Sequence, residues 1–490
     1  MNFLSLDVGT TCCKCQLFTE KGEILFYRAQ EYALKKANDS IYVDADAIRR
    51  NVEELIVSAA KIAAVNSISV SSFGEAFVLL DEQDNILFDP MLYTDPRGEK
   101  QAQVIRNAFD ETFLYQTTGV LPHAMYSVSK LLWIKENHPN IYAKANKLLL
   151  LGDYIGYLLT GNRVIDYSLA ARTGVFNIRK KCFATDILSV FGIDPALFSK
   201  PRPTGCVVGT ITPTLITQLG LAENCKLVLG SHDQICATIG AGILHKGEAA
   251  DGMGTVECIT AVFENPPENL EFGKMGYPTV PFISDNLYCT YILNYSSGSL
   301  VNWWRKDVLH GYSGEKDNFF SYIEESLPGA PTNLLCLPYF AGAATPYQDS
   351  DAKGCLFGLT LQTTDADIYR SLLESTSLEM RLNLETVKNF GITIENAVAT
   401  GGGANSLAWL QIKSDITGLT LRTLRSSEGG LCGVAMLQAV AMGTAKDLEE
   451  AKNIFVQYVN EVTPTTAWKR EYEKTYEKYK KLYKTMKEFY

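Results

Sequence analysis

The 490-residue chain lacks an excess of positive charge: 45 Lys and Arg stand against 55 Asp and Glu, a formal net charge of -10. That balance excludes the basic stripe of a nucleic-acid binder, though it leaves room for a local basic pocket around an anionic ligand. With 17 Pro and 37 Gly the composition is far from collagen-like. At 46% hydrophobic and 20% charged residues it is no disordered tail either. Long hydrophobic runs are missing too. The longest uncharged stretch, Gly429 to Ala445, is interrupted by Gly430, Gly433, Gln438 and Gly443 and reads as a buried helix, so no membrane association is expected. The opening residues carry no basic segment before Asp7, which argues against a signal peptide. The 12 cysteines give one CxxC, Cys12 to Cys15, and no second Cys or His pair follows at zinc spacing. In an extended strand Cys13 and Cys15 share one face, so they read as small buried side chains, and a cytoplasmic protein is expected.

What is present is enough chain for two large domains or three small ones. The first thirty residues read as a meander. A strand over Phe3 to Leu6 is followed by the tight turn Asp7-Val8-Gly9-Thr10-Thr11, a strand from Cys12 to Phe18, and a third from Glu23 to Tyr32. A helix follows, capped by Asp44 or Asp46, with Ile48, Val52, Leu55, Ile56, Ala59 and Ile62 on one face. Strands are then expected over Ile68 to Ser72, Phe77 to Leu80 and Ile86 to Phe88. This βββαβ order differs from a dinucleotide-binding βαβ unit. Half a chain later Asp251-Gly252-Met253-Gly254-Thr255 leads into the alternating Val256 to Phe263, a second turn of the same design. Two such turns point to a pseudo-duplicated protein with a nucleotide between its halves, 1–242 and 243–490, divided near Gly242. The C-terminal Trp468 to Tyr490 reads as one amphipathic helix whose Tyr472, Tyr476, Tyr479, Tyr483 and Met486 face the core.

Several residues are equipped for chemistry. Gly9 permits a sharp turn, and the hydroxyls of Thr10 and Thr11 with successive backbone N–H groups can cradle phosphate oxygens. Asp7, ending a buried strand, can hold hydrated Mg²⁺, and Lys14 can neutralise phosphate charge. Gly254 and Thr255 would supply the opposing jaw. The run Gly401-Gly402-Gly403 lets a flat group such as adenosine lie on bare backbone, with Ser427-Glu428-Gly429-Gly430 as the expected opposite wall. Asp233 falls in the first turn of a helix after Gly230-Ser231-His232, where the helix dipole favours an ionised carboxylate. A carboxylate of low pKa is a weak base, yet phosphoryl transfer asks more for positioning of the hydroxyl than for basicity. Glu75, Asp95 and Arg97 surround a hairpin and offer donors and acceptors suited to a polyol. His232 reads as a cap or packed residue, and Trp303-Trp304 as core.

These motifs together resemble the FGGY carbohydrate kinases. Leu4 to Thr11, Gly230-x-x-Asp233, Leu337 to Gly342 with Thr345-Pro346, Asp351-x-x-Gly354-x-Leu356-Phe357-Gly358-Leu359 and Gly401 to Ser406 stand in the family's order, nearly end to end. The resemblance implies an α/β, two-domain actin-like ATPase (ribonuclease H-like) fold with an interdomain cleft. It also implies transfer of the γ-phosphoryl of ATP to a sugar or polyol hydroxyl. Carried over to this sequence, it makes Asp7 the magnesium-side aspartate, Thr10 and Thr11 the first phosphate loop with Lys14 at the usual basic position, and Gly254 and Thr255 the second loop. Gly402, Gly403 and Asn405 then belong to the adenosine site, Asp233 becomes the catalytic base that also touches substrate, and Glu75 and Asp95 contact the sugar. The pocket departs from both patterns it is similar to. Glu75 stands where xylulose kinases resemble Gly-Gln-Met-His-Gly. Gly74 and Tyr93 stand where glycerol kinases have Arg and Trp. The expected acceptor is a ketopentose such as xylulose or ribulose. The rivals are a glycerol, polyol or sugar-acid kinase, an idle sugar or nucleotide sensor on the same fold, and an actin-like ATPase indifferent to sugars. The expected partners are a small sugar or polyol, no nucleic acid, no membrane, and at most a second copy in a homodimer.

Overall fold

The computed structural model describes residues 1–37, 40–309 and 316–490. Two mixed sheets carry it. The first half contributes β1 (Asn2–Val8), β2 (Cys12–Thr19), β3 (Ile24–Glu31), β4 (Ser67–Ser72), β5 (Val207–Thr210) and β6 (Lys226–Val228) in the order β5-β6-β4-β1-β2-β3. The second contributes β7 (Glu248–Met253), β8 (Glu257–Glu264), β9 (Val280–Pro281), β10 (Leu287–Asn294), β11 (Asn396–Thr400), β12 (Thr420–Leu424) and β13 (Tyr458–Val462) in the order β9-β10-β8-β7-β11-β12-β13. Six strands of the second sheet match the six of the first, and β9 is an addition at its edge. In each half a central strand (β1, β7) makes a hairpin with its successor, a third antiparallel strand follows (β3, β10), and two parallel strands lie on the other side (β4 and β6, β11 and β12). An antiparallel strand closes that side in each case (β5, β13). The duplication hinted at by two turns is thus a duplication of topology.

Helix α1 (Ala45–Ala60) is capped by Asp44, whose carboxylate accepts the Ala47 N–H at 2.9 Å, so Asp44 rather than Asp46 starts it. It ends before Ile62, which is 53% exposed instead of lying on the buried face. Cys13 and Cys15 are buried together on one face of β2 as its alternation requires, and every cysteine is free.

Helices α2 (Asp233–Gly240) and α3 (Gly429–Ala441) follow the equivalent strands β6 and β12 and pack against each other across the two halves. They touch backbone to backbone: a Cβ on Gly240 would sit 1.9 Å from the Gly429 carbonyl oxygen, and one on Gly433 1.9 Å from that of Cys236. Only glycine allows this approach. Helix α3 belongs by sequence to the second half but lies against the first sheet, where buried Gln438 accepts from Ser67 Oγ (2.8 Å) and donates to the Leu4 carbonyl (3.3 Å). The halves therefore meet along paired helices, with the two hairpins β1–β2 and β7–β8 at the same end. The C-terminal helix runs over Lys469–Met486 and finishes in a 3₁₀ turn; Tyr472, Tyr476, Tyr479 and Tyr483 are buried, as the stripe predicts. Among the described residues no helix is long and apolar enough to cross a membrane.

Candidate active site

Asp7 is half-buried at the last but one position of β1, opposite Lys14 on β2 and Ser71 on β4. Burial pushes its carboxyl up, with the Ser71 hydroxyl and the Lys14 charge opposing. Lys14 itself is committed elsewhere: Nζ lies 3.1 and 3.2 Å from the two Glu428 carboxylate oxygens, and Tyr27 Oη donates to Glu428 at 3.2 Å. This pair joins the first sheet to the start of α3. The run Ser427 to Gly430 accordingly borders Asp7, with a Gly430 Cβ position 3.9 Å from Asp7 Oδ1, and does not form the far wall of an adenosine pocket. In the adjoining turn the Gly9 N–H donates to the Cys12 carbonyl (3.0 Å), and Tyr32 Oη donates to the Gly9 carbonyl. Thr10 is half-buried and Thr11 exposed.

The second hairpin differs by one residue of register. Val8 pairs with Cys13 to close the first turn and Met253 with Glu257 to close the second, so Gly252, not Asp251, occupies the place of Asp7. Asp251 therefore lies on the opposite face of its strand. There it is buried with Glu257 around Lys413, whose Nζ donates to Asp251 Oδ2 at 2.6 Å and to Glu257. The exposed Thr255 accepts the Ser299 N–H on its carbonyl (3.0 Å), and the Gly254 carbonyl takes the Gly298 N–H (3.0 Å).

Behind this turn a cavity of about 630 Å³ opens in the second half. Gly254, Thr255, Gly402, Gly403 and Asn405 all line it, so the structure unites residues 150 positions apart as the sequence implied. The three glycines have separate reasons. Gly401 holds φ +82° and a Cβ there would strike the Met253 carbonyl at 2.9 Å; Gly403 is packed on Met253 and Trp409; only at Gly402 would a Cβ meet nothing within 4 Å. The opposite wall comes from Asn302, Phe320 and Glu324, which no motif pointed to. Asn302 Oδ1 and Trp409 Nε1 are buried there without a protein partner, which suits a ligand bearing both donors and acceptors. Burial pushes the Glu324 carboxyl up, opposed by the Ser406 hydroxyl. Trp304 is buried against Tyr369, as expected of core, whereas Trp303 is 40% exposed and packs on Phe340.

Asp233 opens α2 between the halves. Its pKa is raised to about 7, first by burial and then by the Asp7 charge, against the Gln234 N–H that donates to Oδ1 at 2.6 Å. The helix dipole alone would have kept it low; desolvation and a neighbouring carboxylate win. The side chain nevertheless keeps 38% of its surface open. Its charge is felt by Tyr93 in the first half and by Cys258 and Tyr291 in the second, so it stands at the seam. His232 is buried beside it, Nε2 3.3 Å from Asp233 Oδ1 and Nδ1 3.2 Å from Tyr291 Oη, and burial keeps this imidazole neutral.

Glu75 is also at this seam, but buried and already engaged. Arg172, 97 residues away, donates Nε–H to Glu75 Oε1 at 2.6 Å and Nη2–H to the same oxygen. Asp95 is bound by Arg97, with Nε to Oδ1 at 2.9 Å, and its carbonyl accepts from Lys130 Nζ at 2.7 Å. Lys130 is fully buried and its pKa falls to about 8 through desolvation.

The sequence model "FGGY family of carbohydrate kinases, N-terminal domain" matches residues 2–240, and its C-terminal counterpart matches 253–442. The chain belongs to the FGGY family of carbohydrate kinases. It is 27% identical over 488 residues to the xylulose kinase of Bacillus subtilis (strain 168), covering 98% of this chain and 96% of that protein. It is 28% identical over 459 residues to the gluconokinase of Bacillus licheniformis, covering 90% and 87%. The solved xylulose kinase from Rhodospirillum rubrum shares the fold at a TM-score of 0.92 with 22% identity, over 100% of this chain and 99% of that one. As an FGGY kinase the chain is a phosphotransferase with a sugar alcohol group as acceptor and ATP as the phosphoryl source, built on the two-domain α/β ATPase-like fold.

Proposed function

We propose that this FGGY kinase phosphorylates a hydroxyl of a small linear sugar, a ketopentose such as xylulose or ribulose, in the cleft between halves 1–242 and 243–490 in the cytoplasm. The observation that carries the reading is Asp233: a carboxyl raised to about 7, open on one side, at the seam between Asp7 and the second hairpin. A base poised near neutrality can take the hydroxyl proton as the bond to phosphorus forms. In this reading Thr10 and Thr11 on one side and Gly254 and Thr255 on the other hold the phosphates. Gly402, Gly403 and Asn405 face adenosine, and Glu75, Asp95 and Asp233 meet the sugar. Lys14 reaches a phosphate only by giving up Glu428.

Asp7 fits a hydrated Mg²⁺, which needs only one or two carboxylates and keeps several waters. Supporting this, the Asp7 charge raises the cost of ionising Asp233 while the nearest cation, Lys14, is held by Glu428. The ion would supply positive charge against the phosphates. The protein's own part is to align the hydroxyl with the γ-phosphoryl and to shut out water, since an open cleft would hydrolyse ATP. The test combines ADP release with small-angle scattering over a panel of ketoses, polyols and sugar acids. The correct sugar should compact the protein and raise ATP turnover well above the sugar-free rate. If no sugar does either, the idle sensor is the better reading.

A further inference from the structure

We propose that Glu75 and Arg172 together set the class of acceptor, admitting an uncharged polyhydroxy sugar and refusing one that carries a carboxylate. The inference rests on the kinase reading above and narrows it, because relatives of this chain include both a xylulose kinase and a gluconokinase.

A sugar acid entering beside Asp233 needs a cation to receive its carboxylate. Three cations stand around Glu75 and Asp95, and each is already committed. Arg172 is buried, holds Glu75 through two N–H groups on one oxygen, and is fixed between the rings of Tyr126 and Tyr291 at 5.3 and 5.8 Å. Arg97 is wrapped around Asp95 and donates to Tyr42 Oη at 2.5 Å. Lys130 donates to the Asp95 carbonyl and is partly neutral near physiological pH through desolvation. Beside them Asp233 has no Lys or Arg ion-pair partner among the described residues. A substrate carboxylate would thus find a carboxylate and no uncommitted Lys or Arg, whereas hydroxyls can donate to carboxylate oxygens.

The backbone is organised around the same pair. Glu75 sits at φ +63°, a left-handed conformation that a glutamate adopts only under constraint, and its carbonyl accepts from Ser127 Oγ at 2.7 Å. Next to it Gly74 makes room for the Arg172 stem and the His232 ring: a Cβ there would lie 2.9 Å from Arg172 Cγ and 3.0 Å from His232 Cδ2. The arginine comes from residue 172 rather than from the position before Glu75.

The experiment compares phosphorylation and calorimetric binding of D-xylulose, D-ribulose, glycerol and D-gluconate by the wild type, Glu75→Gln, and Glu75→Gln with Arg172→Met. The wild type should favour its best neutral acceptor over gluconate by at least about 100-fold in kcat/KM, the scale set when a buried charge is left unpaired. Glu75→Gln frees the guanidinium and should tighten gluconate binding by about tenfold or more, and the added Arg172→Met should abolish that gain. A wild type that prefers gluconate overturns the proposal and leaves the kinase reading standing. An unchanged preference in a folded Glu75→Gln overturns it too. Phosphorylation of none of the four, nor of any sugar in the wider panel, would instead strike the kinase reading itself. Should Glu75→Gln fail to fold, the wild-type preference alone decides.

Discussion

The hairpins β1–β2 and β7–β8 share a Gly-Thr turn and a place in the topology, yet their aspartates have opposite fates. Asp7 faces α2 and α3, near Asp233, with its nearest cation tied to Glu428. Asp251, one residue out of step, is sealed on the far face with Glu257 against Lys413. A single residue of register moves a side chain from one face of a sheet to the other, and here it separates a carboxyl that can serve a ligand from one that serves the fold. Duplicated topology therefore does not duplicate chemistry.

Breaking the buried side of this comparison should have the largest effect on stability. Lys413→Met leaves two buried carboxylates without a cation, and urea unfolding should show a loss of about 3–5 kcal/mol. Asp7→Asn should leave the unfolding midpoint nearly unchanged while slowing phosphorylation by about two to three orders of magnitude, the weight of one charge-stabilising contact. If Asp7→Asn unfolds the protein and Lys413→Met does not, the assignment is reversed.

The open carboxyl should also show itself in the pH dependence. A base must be ionised, and Asp233 titrates near 7 because burial and Asp7 disfavour its charge. kcat/KM should fall about tenfold per pH unit below 7 and level off above it. The same shift has a cost: the folded state binds a proton more tightly than the unfolded chain. The contribution of Asp233 to stability is therefore present below the ordinary carboxylate range and is lost as pH rises through about 7. Apo Asp233→Asn should lose less stability between pH 5 and pH 8 than the wild type, as thermal melts at each pH would show. An acid limb near 4 would mean that the helix dipole prevails after all.

The smallest effects belong to the turns themselves. Thr10→Val and Thr255→Val should each weaken nucleotide binding by about 0.5–1.5 kcal/mol, one hydrogen bond apiece, without touching the fold. Unchanged affinity in both would remove the two-jaw clamp.

Much of this was legible in the sequence because its signals are local. Hairpins, glycine turns and the helix starting at Asp233 are written in consecutive residues, and their order along the chain carried the family. What was hidden depends on distance or register. Arg172 meets Glu75 across 97 residues, and no spacing rule links them. The sequence marked two turns of one design, and strand pairing puts Gly252 rather than Asp251 in the place of Asp7. The wall facing Gly402 comes from Asn302, Phe320 and Glu324, polar and apolar residues without a motif, rather than from Glu428, which pairs with Lys14. The raised pKa of Asp233 is a property of its burial, which a single sequence does not reveal.

The proposed role of Asp233 is to take the acceptor proton at the seam between the halves. Single-turnover phosphoryl transfer to the best neutral sugar, measured beside nucleotide affinity for wild type and Asp233→Asn, tests it most directly. Transfer by Asp233→Asn should be slower by about two to four orders of magnitude with nucleotide affinity unchanged. An Asp233→Asn enzyme that transfers phosphate at the wild-type rate would contradict it.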